Sequence, residues 1–192
     1  MKNISVWASG NGSNAENLMQ YFSSHSEIRI DHILCNNAEA GVIERARRLG
    51  VDCFVFSRKD FRKGDVVLKK LLERKTDYIV LSGFLQMVPA EIIKRFPEAI
   101  INIHPALLPD FGGKGMFGHY VHEAVIAAGK TQSGITIHLV DEIYDHGKIL
   151  MQQFCPVFEN DTPDMLAARV HELEYKWFPL AVEQYLKVVR SL

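Results

Sequence analysis

The chain predicts an α/β fold: a Rossmann-like, mostly parallel sheet with helices on both faces and an antiparallel strand element near the C-terminus. Two observations carry this. Short apolar runs alternate with helical patterns through the first hundred residues, the signature of βαβ units and a covered parallel sheet. Beyond Pro109 the alternation stops, and two extended runs separated by a polar stretch read as antiparallel neighbours.

Element by element, Ile4–Ala8 reads as a strand and Ala15–Phe22 as a helix. Ile28–Cys35 reads as a strand, and Ala40–Leu49 as a helix stopped by Gly50. Cys53–Phe56 is a third strand, Val66–Arg74 a helix and Tyr78–Leu81 a fourth strand. Pro89–Arg95 is a short helix with proline near its start, followed by a strand over Ala99–Ile103. A glycine-rich loop, Phe111–Met116, precedes a helix over Val121–Ala128. Ile135–Val140 and Ile149–Val157 form the antiparallel pair, with Asp145-His146-Gly147 as a polar turn between them. Thr162 and Asp164 open a last helix running to Leu186 or beyond, with a kink expected at Pro179. With no linker, repeat or low-complexity segment, residues 1–192 read as one domain.

Composition narrows the function classes. Of 192 residues 47% are hydrophobic and 23% charged, an ordinary globular balance. The formal net charge of -1 argues against a general nucleic-acid or membrane-surface binder, and no apolar run is long enough to span a bilayer. Cys35, Cys53 and Cys155 have neither metal-ligand nor redox-pair spacing, so buried free thiols and no metal are expected. Without a signal-peptide pattern at the N-terminus, the expected location is cytoplasmic.

Two segments carry chemistry. Asn102-Ile103-His104-Pro105 leaves the fifth strand, and residues two apart on a strand share a face. An amide and an imidazole projecting together can hold a carbonyl oxygen and move a proton at one carbon. Asp145 is a carboxylate able to fix a histidine tautomer and favour its charged form. The bland alternative is a hydrogen-bonded loop pair. The second segment, Ser9-Gly10-Asn11-Gly12-Ser13-Asn14-Ala15, joins the first strand to the first helix, where free N–H groups favour an anion. It also fits a loose dinucleotide fingerprint, but Cys35-Asn36-Asn37 stands where a ribose-binding acid is expected. Phosphate is therefore favoured over NAD, and a plain glycine turn capping the helix is the remaining alternative.

Asn102-Ile103-His104-Pro105-Ala106-Leu107-Leu108-Pro109, followed by Ser133-Gly134-Ile135-Thr136-Ile137-His138 and Asp145, resembles the formyltransferase family that uses 10-formyltetrahydrofolate. The resemblance covers essentially the whole chain. It implies formyl transfer from that co-substrate, with Asn102, His104 and Asp145 catalytic. Asn102 would hold the formyl oxygen, protonated His104 would stabilise it and supply a proton, and Asp145 would raise the histidine pKa from about 6.5. Ser-Gly-x-Gly-Ser-Asn at the N-terminus is typical of members that formylate glycinamide ribonucleotide. In these, Gly12, Ser13 and Asn14 would bind the phosphate, and Glu174 with His171 the amine end.

For folate the resemblance implies Leu85, Gln86, Met87 and Val88 on one side, Asn102 at the centre, and Asp141, Glu142, Ile143, Tyr144 and Asp145 on the other wall. Many members carry arginine at the position of Gln86. Arg58 matches an arginine near the folate glutamate tail, with Arg62 an alternative. Glu174 has a competing reading as part of an exposed polar face with Glu172 and Lys176, and His138 reads equally as site support or core residue. The Gly112–Met116 loop is expected to be mobile over the site, with Lys114 touching phosphate. Partners would be small molecules, with no nucleic acid or membrane, acting on a monomer or homodimer. The competing functions are a formyltetrahydrofolate hydrolase on the same scaffold and a non-catalytic phosphate- or folate-binding module.

Overall fold

A computed structural model describes residues 1–62 and 65–189, and places them in two compact units, Met1–Ile101 and Asn102–Leu192. The first holds β1 (Lys2–Ala8), α1 (Ser13–Tyr21), β2 (Ile28–Cys35), α2 (Gly41–Arg48), β3 (Asp52–Val55), α3 (Arg58–Arg62), α4 (Asp65–Glu73), β4 (Tyr78–Leu81) and α5 (Ala90–Arg95). β5 (Ile100–His104) begins in the first unit and carries Asn102 and His104 into the second. There follow α6 (His119–Ala127), β6 (Gln132–Leu139), β7 (Ile149–Pro156) and α7 (Pro163–Val188).

In the first unit the strands run in the order β3-β2-β1-β4, and each neighbouring pair is parallel. β1 is central, so Ile4, Val6, Trp7 and Ala8 are fully buried, as a strand covered on both faces requires. Trp7 makes edge contacts with Phe61 and Phe84, at centroid separations of 5.9 and 5.2 Å. In the second unit β6 and β7 pair antiparallel, and α7 packs on both. The parallel strands of the first unit and the antiparallel pair of the second match the fold class read from the sequence.

Three details differ from that reading. α3 was not anticipated, because Arg58–Arg62 carries charges and a single buried aromatic in place of apolar periodicity. β6 and β7 are joined by a longer loop, residues 140–148, not a tight turn at 145–147. Within it Gly147 is obligatory, since a Cβ there would lie 1.9 Å from the Leu139 carbonyl oxygen. Finally, Cys35 and Cys155 are buried free thiols, whereas Cys53, on the outermost strand of its unit, is only half-buried. α7 runs unbroken through the buried Pro179 and is capped by the Thr162 hydroxyl, which accepts from Met165 N–H at 3.3 Å.

Candidate active site

Asn102 and His104 stand at the end of β5, where the strand gives way to the Pro105–Pro109 turn. That turn is locked by Thr136, fully buried on β6. Its hydroxyl donates to the Ala106 carbonyl (2.7 Å) and accepts from Leu108 N–H (2.9 Å). Gln152 on β7 bonds the same hydroxyl and the Leu108 carbonyl, at 2.9 and 3.0 Å. Buried polar groups satisfied this fully fix a backbone in one place.

His104 is 4% exposed, and its Nε2 lies 2.8 Å from the Phe111 carbonyl oxygen. A carbonyl only accepts, so Nε2 carries the proton and Nδ1 is the nitrogen left for proton transfer. Nδ1 faces Asp145 Oδ2 at 3.7 Å, outside hydrogen-bond range but close enough for strong charge coupling. Burial pushes the imidazole below its ordinary 6.5 and outweighs the opposing pull of Asp145 and the Phe111 carbonyl. This corrects the expected direction: Asp145 does favour the charged ring, yet desolvation wins, and the resting histidine is neutral near pH 7.

Asp145 has a left-handed backbone, φ 53°, which turns its carboxylate inward to 12% exposure. Oδ2 accepts from Gly113 N–H at 2.8 Å, and Oδ1 lies 3.7 Å from His138 Nε2. Burial alone would raise this carboxyl; the His138 ring, the His104 charge and the Gly113 N–H together outweigh it and hold it below 3.8. The glycine-rich loop is thus tied to the carboxylate at Gly113, while Lys114 is exposed.

His138 belongs to the same cluster. It is 2% exposed, with Nδ1 2.8 Å from the Leu139 carbonyl and Nε2 3.1 Å from Asn102 Nδ2. Donation from Nδ1 leaves Nε2 as the acceptor of one amide hydrogen of Asn102, whose second remains to be donated elsewhere.

On α7, Glu174 is 13% exposed and accepts from or pairs with His171 Nδ1 at 2.9 Å, so it does not share the exposed face of Glu172 and Lys176. Its charge favours protonation of both His104 and the buried His122 on α6. The sequence reading missed His122, whose only signal is a histidine on the apolar Val121/Val125 side of its helix. It also missed the Phe111 carbonyl and the Gly113 N–H, which as backbone groups leave no side-chain signature.

The remaining predicted residues divide by position. Gly12, Ser13 and Asn14 open α1, with Gly12 at its N-cap in the left-handed region, φ 76°. After β4, Leu85 and Met87 are exposed, Gln86 is half-buried and Val88 is packed in the core, which leaves its backbone as the available contact. The segment is tied to β1, with Ser9 N–H donating to Gly83 O (3.1 Å) and Leu85 N–H to Ser9 Oγ (3.0 Å). Asp141 Oδ1 caps Ile143 N–H at 2.8 Å, while Glu142, Ile143 and Tyr144 are exposed. The side chains of Arg58 and Arg62 lie outside the described residues. Among the described residues no group of three or more His, Cys, Asp or Glu is placed to hold a metal, and no helix is long and apolar enough to cross a membrane.

A family profile described as formyl transferase matches residues 2–182. The chloroplastic phosphoribosylglycinamide formyltransferase of Vigna unguiculata is 42% identical over 190 residues, 95% of this chain but only 60% of that protein's length. The phosphoribosylglycinamide formyltransferase of Bacillus subtilis is 32% identical over 191 residues, 97% of this chain and 95% of its own. The crystal structure of the Streptococcus pneumoniae TIGR4 phosphoribosylglycinamide formyltransferase superposes with a TM-score of 0.86 at 34% identity, covering 97% of this chain and 99% of that one. With the profile spanning almost its full length and these relatives agreeing, the chain belongs to the formyl transferase family.

Proposed function

We propose that this protein transfers a formyl group from 10-formyltetrahydrofolate to the amine of glycinamide ribonucleotide, a step of purine synthesis. The products are formylglycinamide ribonucleotide and tetrahydrofolate. The observation that carries this reading is the gathering of Asn102, His104 and Asp145 in one buried cluster, with His104 Nδ1 left for proton exchange. The names of the relatives supply the acceptor, phosphoribosylglycinamide, and the family resemblance supplies the folate donor. Residues 1–192 would act as a single formyltransferase domain in the cytoplasm, as a monomer or homodimer.

In this reading the amine lone pair attacks the formyl carbon and the carbonyl electrons move onto oxygen. The second amide N–H of Asn102 donates to that oxygen, in a site whose low dielectric strengthens the bond. Neutral His104 takes the amine proton at Nδ1, and Asp145 stabilises the imidazolium that forms. The proton then passes to the folate nitrogen as its bond to carbon breaks, which restores the neutral ring. Burial suits His104 to this cycle, because a histidine that rests neutral is ready to accept.

Gly12, Ser13 and Asn14 would hold the acceptor's phosphate, and Glu174 with His171 its amine end. In the first unit the 85–88 segment would contact the folate, with Arg58 serving its glutamate tail; in the second the 141–145 loop would contact it, with Asn102 at the reacting end. The test is folate release, followed by absorbance with and without glycinamide ribonucleotide. Acceptor-dependent release supports the transferase; equal release without acceptor replaces it with a hydrolase, and none in either case leaves a binding module.

A further inference from the structure

The loop between β1 and α1 is held in place through its carbonyl oxygens. Gly10 O accepts from Val42 N–H (3.2 Å), Asn11 O from Arg45 Nε (2.8 Å), and Gly12 O from Glu16 N–H (2.9 Å). In a trans peptide the C=O and the following N–H point in opposite directions. Fixing these three carbonyls therefore turns the N–H groups of Asn11, Gly12 and Ser13 away from the donors that hold them.

Arg45 is the side chain in this arrangement. Its Nη2 also donates to Asn11 Oδ1 at 3.0 Å, so both oxygens of Asn11 are drawn to one guanidinium. Its Nη1 pairs with Glu16, a carboxylate 7% exposed on α1 that also receives Arg48. Glu16 takes up the charge of Arg45, which leaves the guanidinium fork a geometric task. The surrounding contacts form a mould. A Cβ on Gly12 would lie 2.5 Å from Val42 Cβ, and one on Gly41 would lie 2.9 Å from Asn11 Oδ1. Small residues at both places let the loop sit against α2.

We propose that Arg45 is a positioning residue for the acceptor's phosphate: by holding the two oxygens of Asn11 against α2 it keeps the Gly12 N–H aimed at the anion. The inference rests on the assignment of the phosphate to this loop. Arg48 pairs with the same Glu16 carboxylate and so separates the charge beside Glu16 from the hold on Asn11.

The test compares glycinamide ribonucleotide with its dephosphorylated riboside as acceptors for wild type, Arg45→Lys and Arg48→Met. Lysine keeps the charge beside Glu16, so folding is retained, but it lacks the fork that reaches both Asn11 oxygens. The expected result for Arg45→Lys is a KM for the ribonucleotide raised about tenfold with kcat changed less than about twofold. The weaker riboside reaction should be unaffected, and inorganic phosphate should compete about tenfold less well. Arg48→Met should leave all of these unchanged. An unaltered KM in Arg45→Lys, or an equal rise in Arg48→Met, overturns the role of Arg45. A wild type that uses both acceptors equally well overturns instead the assignment of phosphate to the loop.

Discussion

Asn102 Nδ2 lies 3.1 Å from His138 Nε2, and the His138 ring is itself fixed by its Nδ1 bond to the Leu139 carbonyl. A buried histidine thereby sets which way the amide of Asn102 points. Replacing His138 by Ala frees that amide to rotate, which in the proposed mechanism withdraws the donor to the developing oxyanion. The expected loss is about 10–100-fold in kcat with little change in KM, below the ~10²–10³ typical of deleting such a donor outright. A double-mutant cycle with Asn102→Ala checks it: strong non-additivity is expected, and additive losses would separate the two residues.

The pairing of His104 with Asp145 makes a signed pH prediction. Burial lowers the His104 pKa below 6.5 and Asp145 partly restores it. In the proposed mechanism the neutral ring is the working form, so kcat should fall on the acid side as His104 becomes protonated. In Asp145→Asn burial is less opposed, and the acid limb should move to lower pH while the maximum rate drops. An unmoved limb, or one displaced to higher pH, would show that His104 and Asp145 are not coupled in this way. His104→Ala should lose about 10²–10⁴-fold in rate, the usual contribution of a general acid–base group.

Gly147 sustains the loop that presents Asp145. Gly147→Ala places a Cβ 1.9 Å from the Leu139 oxygen, so the backbone must move. A destabilisation of roughly 1–3 kcal/mol is expected from such overpacking, with a larger fractional loss of activity than of folded protein. Thermal unfolding and kcat measured on the same preparation check both parts.

Acid stability should depend on Asp161. Its carboxylate accepts from Arg169 at 2.7 and 3.0 Å and from Phe158 N–H at 2.8 Å. The Arg169 hydrogen bonds are the main cause that brings its pKa from 3.8 down to about 2. A depressed carboxylate pKa stabilises the fold above the unfolded value of 3.8, and that contribution fades as pH falls toward about 2. Asp161→Asn should therefore lower the urea midpoint at neutral pH and converge with wild type in strong acid. A deficit that persists unchanged at low pH would assign the effect to packing.

Much of the fold was legible because its signals are local. The apolar strand β1, the Gly50 stop and the Thr162 cap each follow from a few adjacent residues. α3 was not, since its five residues lack a periodic apolar stripe. For the candidate site, the spacing of Asn102 and His104 announced two side chains leaving one strand, and the family resemblance drew in Asp145. What remained hidden were contacts made by groups every residue possesses, such as the Phe111 carbonyl and the Gly113 N–H. The sign of the His104 shift was also out of reach, because it is a contest between burial and one charge, and burial is a property of the folded chain. His138 shows the same limit: alternation placed it on β6, but only the fold brings Asn102 to its ring.

The most direct measurement follows the formyl carbon itself. With an isotopically labelled formyl group on the folate and glycinamide ribonucleotide present, NMR should show the label arriving in the acceptor's formamide, at a rate that collapses in His104→Ala. Label appearing as free formate, or unchanged transfer in that variant, would contradict the account.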